Sequence, residues 1–340
     1  MSESQLRFRF RFSVVIPTKE RYELTRDALI GLAAQSLPIS DFEVVVVDNG
    51  STDDSADRLR ELDWPFRCRI VDNPSPGHGP APARNYGVSV AEGELIAFLD
   101  SDCRPDPNWL KVADEAFLVD PEMGFVTGVI DFKPEQREEM GFFSRKTVIA
   151  LTEHPSFPTA NSIYRKSVFE EFGGFDADLS YPNFMGQTIE AADTDLAWRV
   201  IEAGKSKRFL EQAVVYHEVQ TLPPGEWLME PYRLYLLPAL VKAHPGLRDA
   251  LLYRGLLFYR NSAIYYLAAI IGILGLILFP AATVLSGFSA VTLLVLLKSE
   301  KWTIDGLYAG LYELIMNTIR NYVMCAALVA GSIHYRTLVL

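Results

Sequence analysis

The 340-residue sequence predicts an α/β fold, a largely parallel sheet with helices on its faces, continued by an apolar helical tail. Three observations predict it. Between residues 12 and 99, short apolar runs alternate with segments of helical period, the pattern of successive βαβ units. Polar clusters stand at the ends of those runs. From Ala263 to Leu297 no residue is charged.

The elements follow in order. "FSVVIPT" (12–18) is a short apolar run with a polar end, as a buried strand is. Ahead of it "RFRFRF" alternates Arg and Phe and reads as an edge strand with one apolar face. "YELTRDALIGLAAQ" (22–35) has helical period, and "FEVVVVDNGSTDDS" (42–55) is a strand running into a polar turn, with a helix to about Leu62. "RCRIVDN" (67–73) is a third strand. The Gly/Pro loop "PSPGHGPAP" (74–82) leads to the helix "ARNYGVSVAEG", and "ELIAFL" is the fourth strand.

That strand runs directly into "DSDCRPD". Asp100 and Asp102 repel each other, so they sit in a solvated turn or are held by something positive. A divalent cation takes such hard oxygen ligands. In open sheets of this kind, ligands bind beyond the carboxyl ends of the strands. Three polar clusters fall on that rim: Thr18 with Lys19 and Glu20, Asp48 with Asn49, Gly50 and Ser51, and Asp100 with Ser101 and Asp102. The chain has neither a Walker phosphate loop nor GxGxxG after its first strand. Asp48 can accept from a ribose hydroxyl or a base N–H, and a diphosphate would then need a cation, Mn2+ or Mg2+, at Asp100 and Asp102.

The formal net charge is −11, unevenly spread. From residue 242 onward eight Lys and Arg face four Asp and Glu, a net of +4, which leaves −15 on residues 1–241. An acidic body lacks the basic stripe of a nucleic-acid binder. Cys68, Cys103 and Cys325 are too scattered for a disulfide framework, which fits a reducing compartment. No apolar h-region precedes "FSVVIP", so no secretory signal is expected.

The 35 uncharged residues from 263 to 297 are too many for a core helix. Pro280 near their middle breaks the helix. Arg248, Arg254 and Arg260 lie before the run, Lys298 and Lys301 after it. Both ends then face the cytoplasm, and the run reads as a hairpin in the inner membrane. At ~1.5 Å per residue it reaches ~52 Å, against ~60 Å for two crossings, so the hairpin is short or re-entrant. A further apolar segment, 307–333, contains Glu313, Asn317, Arg320 and Asn321 and reads as an interfacial helix dipping into the membrane. The domains expected are thus 1–241, catalytic, and 242–340, membrane-associated.

"FSVVIPTKER", "VVVVDNGSTDDS", "ARNYGVSVAEGELIAFLDSDCRPDPNWL", "TANSIYRKSVFEEFGGFDADL" and "ADTDLAWRVIEAG" with "VVYHEV" resemble, in that order, family 2 glycosyltransferases. The resemblance runs over residues 12–218. It implies the GT-A fold, a Rossmann-like mixed sheet with helices on both faces, and a metal-dependent, inverting transfer from a nucleotide-diphosphate sugar, most commonly a uridine one. A membrane-associated tail is common in that family.

Carried over residue by residue, Thr18, Glu20 and Asp48 would hold the nucleotide. Asp100 would contact ribose or metal beside Ser101, and Asp102 would ligate the metal. Arg84 and Asn85 would support the donor side, and His217 matches a histidine often placed near the metal. Asp193 matches the aspartate that acts as base, with Asp195 and Glu190 as alternatives. Asn161 is the candidate for acceptor contact, and Trp198 and Arg199 would brace the base helix. An Asp at that place also suits a plain N-cap. Ala192 departs from the Glu usual before the base. Gln-x-x-Arg-Trp is missing, which implies one sugar per encounter rather than chain extrusion. The expected acceptor is lipid-linked or a cell-envelope glycan. Two other classes compete: a catalytically silent membrane scaffold of the same fold, which Ala192 favours, and a sugar nucleotidyltransferase, which the lack of a Gly-rich first loop disfavours.

Overall fold

In the computed structural model, which describes residues 8–182, 188–280, 287 and 304–340, the alternation folds into a mixed eight-stranded sheet. The elements begin β1 (Phe10–Thr18), α1 (Tyr22–Ala33), β2 (Phe42–Asp48), α2 (Ser55–Arg60), β3 (Arg67–Asp72), α3 (Ala81–Val90) and β4 (Gly93–Phe98). There follow β5 (Cys103–Pro105), α4 (Trp109–Val119), β6 (Met123–Phe132), β7 (Ser162–Arg165), α5 (Lys166–Glu171), β8 (Ser180–Pro182), β9 (Thr188–Glu190), α6 (Ala192–Glu202) and β10 (Ser206–His217). Across the sheet the order is β3-β2-β1-β4-β7-β6-β10-β5, with β8 and β9 a separate ribbon.

The valine run of β2 is buried throughout, as expected of a strand covered on both faces. On one face Phe12, Val14, Ile16, Val44 and Val46 pack with Ala28, Leu29 and Leu32 of α1 and Trp109 and Leu110 of α4. On the other, α3 approaches so closely that a Cβ on Gly87 would lie 2.5 Å from the Val15 side chain. The arginine–phenylalanine segment is no edge strand. Phe10 and Phe12 enter β1, which is central between β2 and β4. Arg11 is accommodated there by Glu94 and Asp114, each at 2.6 Å.

Parallel register builds the rim. Thr18 pairs with Asp48, and Asp48 with Asp72, so β1, β2 and β3 end level. Val15 pairs with Phe98, which brings the turn after β4 to the same edge. β7 then runs antiparallel to both β4 and β6, and β10 returns parallel to β6 and carries His217 to the rim.

β10 bulges against β6 between Leu210 and Val214. The Ala213 carbonyl inside the bulge accepts instead from Asn161 Nδ2 at 2.8 Å. A Cβ on Gly128 would lie 2.1 Å from that same carbonyl oxygen. Gly128→Ala should therefore cost about 1–3 kcal/mol, read as a lowered urea midpoint with an unchanged slope.

By internal packing the chain divides into Met1–Thr221 and Leu222–Leu340, ahead of the expected boundary at 241. The second unit holds α7 (Pro224–Met229), α8 (Leu237–Ala243), α9 (Pro245–Leu251), α10 (Ser262–Leu278) and α11 (Ile304–Tyr335). Residues 222–241 belong there because they partner α11. Arg320 pairs with Glu230, which is buried, and its guanidinium stacks 4.3 Å over Trp227.

α10 ends at Leu278, just ahead of Pro280, and exposes Ile264, Leu267, Ile271 and Leu274. From residue 281 onward the expected hairpin lies outside the described residues, Gly287 apart. The segment 307–333 falls within one unbroken helix, α11. By length and composition, its portion Tyr308–Tyr335 is long and apolar enough to cross a membrane, with mean hydropathy 1.3 over its most apolar 18 residues. Two of the four polar residues in that segment have partners inside the unit: Arg320 as above, and Asn321, which donates to Tyr265 Oη at 2.9 Å.

Candidate active site

The turn after β4 splits the rim in two, because Asp100 and Asp102 point to different partners. Asp102 is buried. Its Oδ2 accepts from Arg21 Nη1 at 2.9 Å and from Gln220 Nε2 at 2.7 Å. Its Oδ1 faces His217 Nε2 at 3.5 Å and Cys103 Sγ at 3.9 Å. Register explains the meeting, since His217 lies opposite Cys103 in the β10–β5 pair. Burial opposes ionisation of Asp102, yet His217, Arg21 and Arg145 together hold its carboxyl below the usual carboxylate range.

These residues fit a divalent cation. His217 Nδ1 lies 2.7 Å from the Glu218 carbonyl oxygen. A carbonyl only accepts, so Nδ1 carries a proton, and Nε2 is the ring nitrogen that would ligate a metal. Asp102, Cys103 and His217 form the one such group among the described residues, with ligand atoms within 4.8 Å of one another. Cys103 is the poor member. Burial first, then the Asp102 and Asp100 charges, push its thiol far up, and a neutral thiol does not suit a hard cation.

Asp100, expected to contact ribose or metal, is not in that group. It accepts from Arg84 Nη2 at 2.6 Å. Arg84 is buried on α3, and its Nη1 reaches Glu190 at 2.9 Å. One guanidinium thus ties the β4 turn to the end of β9. Asp193 follows in the first turn of α6. That helix starts at Ala192, with Ala191 at its cap and no side-chain capping bond, so Asp193 is not the N-cap. Its Oδ1 accepts from the Thr194 amide at 2.7 Å. Burial raises its proton affinity and the Asp100 charge adds to this, against the Thr194 amide and Arg84.

Glu190 is pushed up to about 7 by burial, against Arg84, with the Asp193 and Asp100 charges adding. The sign of its effect on stability follows. Between the ordinary 4.5 and about 7 the unfolded chain has lost a proton that the folded chain keeps. Its stabilising contribution is therefore complete below this window and lost as pH rises through it. Glu190→Gln removes the titration, so the variant should gain stability relative to the parent between about pH 4.5 and about pH 7, then hold level. Urea unfolding across that range measures it.

The nucleotide candidates line the rim beyond β1 and β2. Thr18 is buried, with its hydroxyl 2.7 Å from that of Thr25. Asp48 accepts from the Ser51 amide at 3.1 Å and from the Ser51 hydroxyl. Glu20 accepts from the Thr52 hydroxyl at 2.8 Å, which fixes the "NGST" turn from both sides. Ser101 is buried between the two aspartates.

Two expected site residues are committed elsewhere. Asn161 is buried: its Oδ1 takes the Trp109 indole N–H at 2.8 Å, and its Nδ2 donates to Val129 O and Ala213 O, each at 2.8 Å. Both amide hydrogens are used within the fold and the side chain is buried, so Asn161 seals the β10 bulge. Asn85 exchanges two hydrogen bonds with the Phe175 backbone, at 2.7 and 3.0 Å, and holds the "GGFD" turn rather than the donor. Arg199 grips the same turn through the Phe172 and Gly174 carbonyls while paired with Asp195 at 2.8 Å. Trp198 donates to Pro155 O at 2.9 Å. Arg21 and Gln220 were missed. Their only signal in sequence is proximity, Arg21 to the first polar cluster and Gln220 to His217.

The chain is similar to known proteins. Residues 13–173 match the model of Glycosyl transferase family 2. Glycosyltransferase AglE of Haloferax volcanii is 27% identical over 228 residues, covering 65% of this chain and 71% of that protein. Chondroitin synthase of Escherichia coli is 26% identical over 63% of this chain, which spans only 35% of the synthase. Among solved structures, the mannosyltransferase PcManGT from Pyrobaculum calidifontis, in complex with GDP-Man and Mn2+, is similar at TM-score 0.59 and 21% identity. That likeness covers 93% of this chain and 88% of the other. S. aureus TarS 1-349 in complex with UDP is similar at TM-score 0.51 and 17% identity, over 96% and 92%. Residues 13–173 form a family 2 glycosyltransferase domain, and the sheet with its flanking helices has the GT-A fold.

Proposed function

We propose that the protein transfers one sugar from a nucleoside diphosphate sugar to a lipid-linked or cell-envelope glycan acceptor, with inversion at the anomeric carbon. The observation that carries this reading is the split rim. Asp102 and His217 form a cation-binding half, while Asp193 and Glu190, both with raised proton affinity beside Arg84, form a carboxylate half.

The nucleotide lies along Thr18, Glu20 and Asp48. The acceptor hydroxyl attacks the anomeric carbon from the face opposite the diphosphate. Its proton passes to Asp193, and the bond to the diphosphate breaks with its electron pair on the leaving oxygen. A carboxylate of raised proton affinity suits that task near neutral pH. Arg84 holds Asp100 and Glu190 in register with it. Mn2+ or Mg2+ held by Asp102 and His217 would supply Lewis-acid neutralisation of the departing diphosphate. The mannosyltransferase solved with GDP-Man and Mn2+, and TarS solved with UDP, support a donor of this class.

The apolar helices α10 and α11 support an acceptor drawn from a membrane, with the catalytic unit on the cytoplasmic side of the inner membrane. Ala192 would favour a silent scaffold, but Glu190 keeps a second carboxylate against Arg84. The test is nucleoside diphosphate release by detergent-purified protein from a panel of UDP- and GDP-sugars. Total membrane lipid serves as acceptor, with Mn2+, with Mg2+ and with chelator. Release that needs a divalent ion is expected. Nucleotide binding without release would overturn the transferase reading.

A further inference from the structure

The Asp102 carboxylate, expected to meet a metal, already has a cation. Arg21 Nη1 lies 2.9 Å from its Oδ2 and 3.5 Å from Ser101 Oγ. The two partners differ in exposure: the Arg21 side chain is 44% accessible, that of Asp102 only 6%. The backbone aims Arg21 there. Glu20, just before it, has φ +54°, a left-handed conformation that side chains other than glycine's rarely adopt. The Glu20 amide is anchored to Ser51 Oγ at 2.8 Å. Strain held in place at a site rim is a reason to look for function.

Two other cations near the rim are committed to protein carboxylates on two sides. Arg84 bridges Asp100 and Glu190, and Lys133 bridges Asp27 and Glu218. Both are buried. Arg21 is half-exposed and free to turn outward. Its planar fork of donors suits phosphate oxygens.

We propose that Arg21 is the resident counter-ion of Asp102 in the free enzyme and moves onto the donor's diphosphate when that carboxylate takes up the metal. The inference rests on the metal-assisted reading above. A divalent ion and a guanidinium compete for Oδ2, so the ion alone binds weakly. The incoming diphosphate relieves the competition by giving Arg21 another anion. Metal and nucleoside diphosphate therefore bind cooperatively, and Arg21 screens the leaving group as the sugar departs.

The test is Mn2+ binding to the full chain in detergent, followed by the electron-paramagnetic signal of free Mn2+, first alone and then with excess UDP or GDP. Arg21→Gln should bind Mn2+ alone about tenfold more tightly, within the ~5–150-fold span of ordinary coupling between sites. It should bind the metal-free diphosphate about tenfold more weakly, which removes most of the cooperativity. Arg21→Lys keeps the charge without the fork, and it decides the matter if the Gln variant does not fold. It should bind Mn2+ alone a few-fold more tightly than the parent. Equal Mn2+ affinity in parent and variants overturns the exchange while leaving the metal-assisted reading intact. If the parent takes up no Mn2+ even with diphosphate present, that reading falls and the exchange with it.

Discussion

Asp193→Asn is expected to slow sugar transfer by roughly 10²–10⁴-fold, the usual contribution of a positioned general base, with donor affinity nearly unchanged. The amide replaces the carboxylate at equal volume and can still accept the Thr194 N–H through its oxygen. Arg84 keeps both other partners, Asp100 and Glu190, so the donor half of the rim is not disturbed. The measurements are single-turnover transfer and donor binding by calorimetry. Asp195→Asn is the control. Its carboxylate is tied to Arg199, so that variant should lose stability rather than catalytic rate. An Asp193→Asn enzyme that keeps more than about a tenth of the parent rate would remove Asp193 as base and move the assignment to Glu190.

Asp102→Ala is expected to lower turnover by at least ~10²-fold, since Lewis-acid stabilisation of a leaving group is worth several kcal/mol and each ~1.4 kcal/mol is a decade in rate. Dependence on added divalent ion should vanish with it. The fold should survive. Removing one partner of a buried pair is costly when the other charge stays buried, but Arg21 is half-exposed and can turn to water. Thermal unfolding in the absence of metal checks that expectation, and Mn2+ titration checks the loss of the site. A variant that still responds to Mn2+ as the parent does would place the cation elsewhere on the rim.

Much of this site could be read before any coordinates. Thr18, Asp48 and the Asp-Ser-Asp turn were legible because parallel strands of similar length end level, so residues at strand ends become neighbours. Asp193 and His217 were legible only through their place in an ordered set of motifs. What the sequence did not reveal were the partners. Asn161 was expected to contact the acceptor. It became a structural residue only when the bulge in β10 left Ala213 O without a ladder partner. Asn85 was lost to the "GGFD" backbone, 90 residues away in the chain, in the same manner.

The sequence by itself determined the class of fold, the rim on which the candidate site lies and the apolar character of the tail. Each follows from local periodicity and from the topology of βαβ units. Only the tertiary structure decided how the paired aspartates divide, Asp100 to Arg84 and Asp102 to His217 with Arg21. It also gave Arg320 a partner that lets an otherwise apolar helix carry a charge. The physical reason is the same in both cases. A charge withdrawn from water must find an opposite charge or a hydrogen-bonding group nearby, and which group is near depends on strands and helices far apart in the sequence.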